Sequence, residues 1–113
     1  MKEIVIDSVV YAPKAEKNMS CYSLIRTYSA GVHFGIVKKR EGKEVVLNDA
    51  RRIWYWEGAF TLSAIAVDGV SKPDRCKFSC AVPEIALTEA IEIILCTERA
   101  AKIILGVPVW EKK

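Results

Sequence analysis

The sequence has few of the groups with which enzymes perform chemistry. It contains one histidine, His33, and no glycine-rich phosphate loop, dinucleotide fingerprint or nucleophile elbow. Catalysis needs acids, bases or nucleophiles in a defined arrangement, and His33 is expected to be a residue on one face of a strand. The composition therefore favours a protein that is not an enzyme and that uses no cofactor.

Cysteine is present, but without the additional ligands that a zinc site requires. The four cysteines are Cys21, Cys76, Cys80 and Cys96. In an extended strand the side chains of Cys76 and Cys80 would share one face, yet structural zinc sites need further thiols or imidazoles at ligand spacing. We therefore predict no metal, and reduced thiols because no secretory signal precedes them.

Long apolar runs and a strong charge of either sign are also lacking. Residues 4–6 are apolar, but Asp7 interrupts them well before the length of a signal peptide or a membrane span. The formal net charge of +3 is too small for a protein that coats nucleic acid through its phosphates. We expect a cytoplasmic protein that has no membrane partner and for which nucleic acid is a disfavoured partner.

The chain has the size and composition of one folded domain, residues 1–113. Hydrophobic residues make up 51% of the sequence and charged residues 27%, a balance typical of chains that bury a core. In so short a chain this apolar content also predicts exposed surface that a second copy covers, with Val109 and Trp110 as candidates. We expect a homo-oligomer.

Strand patterns dominate the first half of the chain. β-Branched residues predict a strand over residues 4–10, and a polar, proline-containing stretch predicts a loop over residues 11–20. Residues 21–56 alternate in polarity as in a meander of antiparallel strands. Within the meander a hairpin turn is predicted at residues 40–43, and a turn or bulge is predicted at residues 29–31 and again at residues 48–49.

The second half mixes helix and strand. The apolar spacing predicts a helix over residues 60–67 that Gly69 ends, and then a short strand over residues 78–82 that Pro83 stops. Residues 89–96 favour a strand but also fit a helix. Thr97 is a plausible N-cap for a helix over residues 98–105, which Gly106 and Pro108 end. The predicted fold is α+β, an antiparallel sheet of about five strands with two short helices packed on one face.

The most distinctive segment is DARRIWYWEGA, residues 49–59, which places two arginines beside three large aromatic rings. If residues 50–56 are extended, one face carries Arg52, Trp54 and Trp56. The other face then carries Arg51, Ile53 and Tyr55. Guanidinium groups bind phosphates and aromatic rings stack on bases, so the face that does not pack on the helices suits an anionic, ring-bearing ligand.

A second arginine and aromatic pair lies on a neighbouring predicted strand, where Arg26 and Tyr28 share a face with Leu24. Two strands are thus predicted to offer such pairs to one concavity. The predicted ligand-binding residues are Arg26, Tyr28, Arg51, Arg52, Trp54 and Trp56. In the alternative interpretation the tryptophans anchor the core, and the arginines pair with Glu44, Asp49 or Glu57.

Five segments together carry a family resemblance: RTYSAGVHFG, GKEVVLNDARRIWYWEGA, LSAIAVDGV, CKFSC with EIALTEAIEII, and VPVW. In this ordered series the chain resembles a family of small tailed-phage and prophage proteins, over roughly residues 22–110, with residues 1–20 as an extension outside it. The resemblance implies a viral origin and action in the host cell cytoplasm. It assigns no activity and no binding residue.

Small phage proteins of this size and α+β pattern are similar in kind to sponges, which sequester the cyclic-nucleotide or ADP-ribose signals of bacterial defence systems such as Thoeris and CBASS. The first hypothesis is therefore a homo-oligomer that binds a nucleotide-derived immune signal without cleaving it. The alternative is a phage assembly or host-interaction protein that uses the aromatic cluster as a protein interface. Binding of single-stranded nucleic acid is a third hypothesis, which the modest net charge disfavours.

Overall fold

Antiparallel strands account for most of the computed structural model, which describes residues 18–110. In chain order the elements are β1 (Met19–Thr27), β2 (Val32–Glu41), β3 (Glu44–Tyr55), α1 (Leu62–Asp68), β4 (Lys77–Phe78), β5 (Val82–Leu87), β6 (Ala90–Thr97) and α2 (Glu98–Leu105). A single turn of 3₁₀ helix, Pro73–Arg75, precedes β4. Among the described residues, no helix is both long enough and apolar enough to cross a membrane.

The strands form one sheet with the order β4-β3-β2-β1-β6, and β5 also pairs with β3. The long strand β3 pairs with β5 through its first half and with β4 through its last residues. Only Thr88 and Glu89 connect β5 to β6, although these strands lie at opposite sides of the sheet. Because so short a connection must join them, the sheet curls. The N–H of Ala90 donates to the carbonyl of Lys43 in the β2–β3 hairpin (3.0 Å), at the start of β6.

Each face of the curled sheet has its own apolar cluster. On one face, both helices pack on a helix-side cluster that includes Leu24, Phe34, Ile53, Ile65, Phe78 and Ile104. The opposite, concave face carries a concave cluster of Ile25, Val45, Leu47, Ala50 and Leu87. Adjacent residues of a strand point to opposite faces, so Leu24 and Ile25 supply one side chain to each cluster.

The helices begin where threonine side chains satisfy free backbone N–H groups. Thr61 accepts from the N–H of Ala64, and Thr97 accepts from the N–H of Ala100, each at 3.1 Å. The Thr97 hydroxyl also donates to the carbonyl of Val67 (2.7 Å). Thr97 therefore links the start of α2 to α1 as well as capping its own helix.

A bulge forms at residues 48–49, which is one of the two alternatives, turn or bulge, predicted there. Phe34 pairs with Arg51 while Ile36 pairs with Asn48, so β3 has one more residue than β2 between these pairs. Asp49 has a positive φ of 51°, and this backbone conformation accommodates the extra residue. Because β3 continues through the bulge, Leu47 and Ala50 both reach the concave cluster despite their odd spacing.

The predicted α+β class is confirmed, with six strands in place of about five. The helix predicted over residues 98–105 is found at those bounds with Thr97 as its N-cap, and the segment predicted at residues 89–96 forms a strand, Ala90–Thr97, not a helix. The strand predicted over residues 78–82 is wrong. Phe78 ends β4, residues 79–81 lie in no strand, and Val82 begins β5. Pro83 lies inside β5, where a missing N–H is tolerated because no described strand pairs with the outer side of β5. The strand and most of the loop predicted before Asn18 lie outside the described residues.

Candidate functional site

A cavity of about 240 Å³ opens on the concave face of the sheet. Three polar residues and four apolar residues line it: His33, Arg52 and Ser79, with Ala50, Trp54, Val82 and Ile85. The cavity thus combines a guanidinium group, an imidazole and an aromatic ring on one concave surface. We call it the concave site.

Other cavities of similar size lack this combination. One of about 210 Å³ at the start of α2 is lined by Arg99 but by no aromatic residue. Another of about 270 Å³ is lined by Tyr28 and Lys43 but by no arginine. Sites for small ligands combine apolar walls with a few convergent polar groups, which makes the concave site the best candidate.

His33 and Arg52 face each other in the β2–β3 ladder and interact through their side chains. Arg52 donates from Nε to Nε2 of His33 at 3.2 Å. Since Nε2 accepts this bond, the hydrogen of the neutral imidazole resides on Nδ1. His33 is fully buried, and within residues 18–110 its Nδ1 has no hydrogen-bond partner.

The protonation state of His33 follows from its surroundings. Burial, and secondarily the positive charge of Arg52, lower the pKa of His33 from 6.5 to about 4. The imidazole is therefore neutral at pH 7. Its Nδ1–H is a buried donor that lacks an acceptor, and such a group is costly in a folded protein unless something satisfies it.

The segment after β4 holds the backbone of Arg52 in place. The Ser79 hydroxyl accepts from the N–H of Arg52 (2.7 Å) and donates to the carbonyl of Cys80 (2.8 Å). The N–H of Ser79 also donates to the carbonyl of Arg52 (2.8 Å). These bonds extend the β3–β4 pairing past the end of β4 and fix the position from which the guanidinium group projects.

Exposed aromatic rings lie beside the concave site. Trp54 is 53% exposed, and its ring packs edge-on against the ring of Trp110 with centroids 5.5 Å apart. The ammonium group of Lys77 lies 5.1 Å from the Trp110 ring and 5.8 Å from the Tyr55 ring. We call Trp54, Tyr55 and Trp110 the aromatic rim.

Arg51, which is adjacent to Arg52 in sequence, has a different environment. It is 4% exposed, and its guanidinium group donates to the carbonyls of Ser79 (2.7 Å), Ile104 (2.9 Å) and Pro108 (3.5 Å). The same group lies 5.2 Å from the Phe78 ring centroid. Burial lowers the pKa of Arg51, but an arginine remains charged at neutral pH. These contacts give Arg51 a structural role and separate it from the concave site.

Trp56 also lies outside the concave site. Strand β3 ends at Tyr55, so the alternation that would put Trp56 on the face of Arg52 and Trp54 does not continue. The Trp56 ring is half-buried and packs against the helix-side cluster. For this residue the alternative interpretation, a core tryptophan, describes the structure.

The two predicted arginine and aromatic pairs do not share one concavity. Arg26 pairs through Val32 with Ile53, which puts it on the opposite sheet face from Arg52, and its Nε binds Glu92 at 3.1 Å. Tyr28 follows the end of β1 and is 79% exposed beside a different cavity. Of the six predicted residues, Arg52 and Trp54 line the concave site.

His33 and Ser79 line the site but were not among the predicted binding residues. His33 lies opposite Arg52 because the two register shifts of the β2–β3 ladder, one on each strand, cancel, so that the register of the hairpin at Glu41 and Glu44 is restored at His33. Ser79 was not predicted as a site residue because residues 78–82 were wrongly assigned to a single strand. The sequence signal for His33 is its pairing with the arginine segment when the two strands are counted outward from the 40–43 hairpin.

The cysteines take no part in the concave site. Cys76 is buried and its thiol contacts the backbone of Glu57 and Lys72, while burial raises the pKa of Cys96 to about 11. Cys21 and Cys80 are exposed. The described part of the chain contains no group of three histidine, cysteine or acidic side chains placed to hold a metal ion.

Comparison with known proteins identifies a family but no function. Neither the curated proteins nor the solved structures contain a match to the chain. A family model, described as Domain of unknown function (DUF6948), matches residues 20–104. This span includes β2 to β6 and nearly all of β1 and α2. It therefore covers the concave site, and the chain belongs to the DUF6948 family.

Proposed function

We propose that the protein is a non-catalytic binding protein that holds a small anionic, ring-bearing ligand of the nucleotide type in the concave site. The observation that carries the proposal is the buried Nδ1–H of His33, for which no described residue supplies an acceptor, in a ring whose Nε2 is bound by Arg52. Because His33 is fully buried at the wall of the cavity, its ring must shift toward the cavity before an oxygen of an anionic ligand can satisfy this donor.

Arg52 supplies charge in the same place. The Nε of Arg52 donates a hydrogen bond to His33, and no described residue accepts a hydrogen bond from the two terminal nitrogens of Arg52. These nitrogens present paired N–H groups, the geometry that binds phosphate oxygens. Trp54, whose indole is half-exposed at the wall of the site, offers a face on which a base can stack.

The state of His33 favours binding without cleavage. A general base works best when its pKa lies near the working pH. The pKa of His33 is about 4, and its only lone pair that could accept a proton already accepts from Arg52. A histidine in this state donates a hydrogen bond but is a poor proton acceptor.

The size of the site limits how much of a ligand it encloses. Sites for whole drug-sized ligands measure about 300 to 1,000 Å³, whereas this one holds about 240 Å³. It suits one phosphate and one ring, with the rest of a larger ligand outside. More narrowly, we propose that the ligand is a cyclic nucleotide or cyclic ADP-ribose. The protein would then be a phage protein that sequesters this signal in the host cytoplasm and so counters bacterial defence.

The first test is a search for nucleotides bound to the purified protein. We expect the parent protein to release a nucleotide-type compound on denaturation, detected by mass spectrometry, and Arg52→Ala to release much less. Arg26→Ala is the matched control, because Arg26 is an exposed arginine whose partner, Glu92, lies away from the site. Equal release from the parent and Arg52→Ala would remove the support for this site.

The aromatic rim favours a second candidate function, a phage assembly or host-interaction protein. Exposed tryptophan and tyrosine side chains are common centres of protein interfaces. Trp54, Tyr55 and Trp110 are all 45–53% exposed. In this case a protein partner would bind the rim and the concave site would need no ligand.

Trp110→Ala separates the two candidates, because Trp110 belongs to the aromatic rim but does not line the concave site. If the rim is a protein interface, the substitution should weaken partner binding by about 2 kcal/mol or more. If the concave site holds a nucleotide, the amount released by Trp110→Ala should stay close to that of the parent, since Arg52 and His33 are unchanged. Loss of nucleotide from Trp110→Ala but not from Arg52→Ala would contradict the assignment of the site.

A further inference from the structure

An exposed lysine lies on the aromatic rim without an acidic partner. The ammonium group of Lys77 lies 5.1 Å from the centroid of the Trp110 ring and 5.8 Å from that of the Tyr55 ring. Within residues 18–110 it forms no ion pair and no hydrogen bond. Other exposed cations of the chain do pair with carboxylates, namely Arg26, Lys38, Arg75 and Arg99. The charge of Lys77 is therefore open to a ligand.

Lys77 lies on the same sheet face as the concave site, and a bulge in β3 brings Tyr55 to that face as well. Phe78 belongs to the helix-side cluster, and adjacent residues of a strand point to opposite faces, so Lys77 lies on the concave face. Ile53 pairs with Phe78 while Tyr55 pairs with Lys77, which leaves Trp54 as an extra residue of β3. Because paired residues share a face, Tyr55 follows Lys77.

A continuous series of contacts connects Lys77 to the concave site. The Trp54 side chain lines the site together with Arg52. The Trp54 ring packs against the ring of Trp110, with centroids 5.5 Å apart, and the Trp110 ring contacts Lys77. Two tryptophan rings thus link a guanidinium group at one end of this surface to an ammonium group at the other.

No unpaired carboxylate competes for these cations among the contacts of the described residues. The carboxylate that is hydrogen-bonded to the rim is Glu57, which accepts from the hydroxyl of Tyr55 (2.8 Å). Glu57 also forms an ion pair with Arg75 (3.6 Å). The residues that line the concave site include no acidic side chain. A second anionic group of a ligand would therefore be attracted to Lys77.

We propose that the ligand carries two phosphates, one on each side of a nucleoside, and that Arg52 binds the first and Lys77 the second while Trp54 stacks on the base. This inference rests on the proposed function of the concave site and narrows its ligand to the dinucleotide class. The cavity of about 240 Å³ suits one phosphate and one ring, so a second phosphate lies outside it, on the side of the rim. Lysine binds phosphate there as a point charge.

Titration calorimetry with two adenosine nucleotides measures the contribution of Lys77. Adenosine 3′,5′-bisphosphate carries a phosphate on each side of the nucleoside, whereas adenosine 5′-monophosphate carries one. We expect the parent to bind the bisphosphate more tightly. Lys77→Gln should raise the Kd of the bisphosphate about fivefold, as the loss of one exposed ion pair implies, and change that of the monophosphate by less than about twofold. Arg52→Ala should weaken the binding of both.

Lys102→Gln is the matched control, because Lys102 is an exposed lysine of α2, which packs on the other face of the sheet. It should bind both nucleotides as the parent does, and circular dichroism should show the parent fold in every variant. Three results would overturn the inference while Arg52-dependent binding left the proposed function standing: equal affinity of the parent for the two nucleotides, an equal loss of both in Lys77→Gln, or no loss of either. A parent that binds neither nucleotide, or that binds them without Arg52, would contradict the concave site itself, and the inference with it.

Discussion

Replacing Arg51 by alanine is expected to lower the free energy of unfolding by about 3 to 5 kcal/mol, one of the largest effects of any polar substitution in this chain. The Arg51 guanidinium group is buried and donates to three backbone carbonyls. Hydrogen bonds from a charged donor contribute about 1.5 to 3 kcal/mol each. Alanine would remove these bonds together and leave the carbonyls of Ser79 and Pro108 without this donor.

The role of Arg51 is to connect parts of the chain that are distant in sequence. The carbonyls belong to the segment after β4, to α2 and to the tail beyond it, while Arg51 itself lies in β3. A buried cation near the C-terminal end of α2 also interacts favourably with the partial negative charge of that helix end. The tail that covers β4 should therefore loosen together with α2 in the variant.

Urea denaturation followed by circular dichroism measures this effect. Arg52→Ala is the matched control: it changes the adjacent arginine of the same strand, whose side chain is half-exposed and binds one imidazole. We expect Arg52→Ala to cost about 1 kcal/mol. Arg51→Lys should remain well below the parent in stability, because an ammonium group cannot reproduce the planar fork of donors. Equal midpoints for Arg51→Ala and Arg52→Ala would contradict the structural role of Arg51.

The second large effect is a loss of stability in mild acid that His33 controls. The pKa of His33 is about 4 in the folded chain, against about 6.5 in an unfolded chain. The unfolded chain therefore takes up the proton first as the pH falls. The contribution of His33 is fully present above pH 6.5 and is lost as the pH falls to about 4, by a total of about 3 kcal/mol.

A variant without the imidazole isolates this contribution, since the chain has one histidine. In His33→Gln the amide oxygen can still accept from Arg52, but the side chain does not titrate. We expect the difference in unfolding free energy between the parent and His33→Gln to change by about 3 kcal/mol between pH 6.5 and 4. The carboxylates titrate in both proteins, so their contributions cancel in the difference between the two unfolding free energies. Parallel stability profiles over this range would mean that His33 is not held neutral by its surroundings.

Local signals in the sequence were sufficient for several elements of the fold. The bounds of α2 could be predicted because Thr97 caps the helix and Gly106 follows its last residue. Gly42, with a φ of 61°, forms the predicted hairpin between β2 and β3. The strand at residues 78–82 was mispredicted because Pro83 looks like a stop signal. Only the sheet topology shows that β5 is a strand whose outer side has no pairing partner among the described residues.

The candidate site depended on information that is not local. Alternation in β3 correctly separates Arg51 from Arg52, but it cannot tell which of the two faces the helices. Arg51 is the arginine that faces the helices, because it pairs with Phe34, and Phe34 belongs to the helix-side cluster. Arg26 was grouped with the site because its sequence context is similar, yet the register places it on the other face. The sequence therefore indicated the right segment but could not assign the roles of its arginines.

The proposed role of Arg52, with His33 and Trp54, is to bind an anionic nucleotide-type ligand in the concave site. Isothermal titration calorimetry against a panel of cyclic nucleotides and cyclic ADP-ribose measures this binding. We expect the parent to bind a member of the panel and Arg26→Ala to bind as the parent does. Arg52→Ala should lose about 1.5 to 3 kcal/mol of binding free energy, and Trp54→Ala about 1 to 3 kcal/mol. Binding by Arg52→Ala that equals that of the parent, or a parent that binds no member of the panel, would contradict this role.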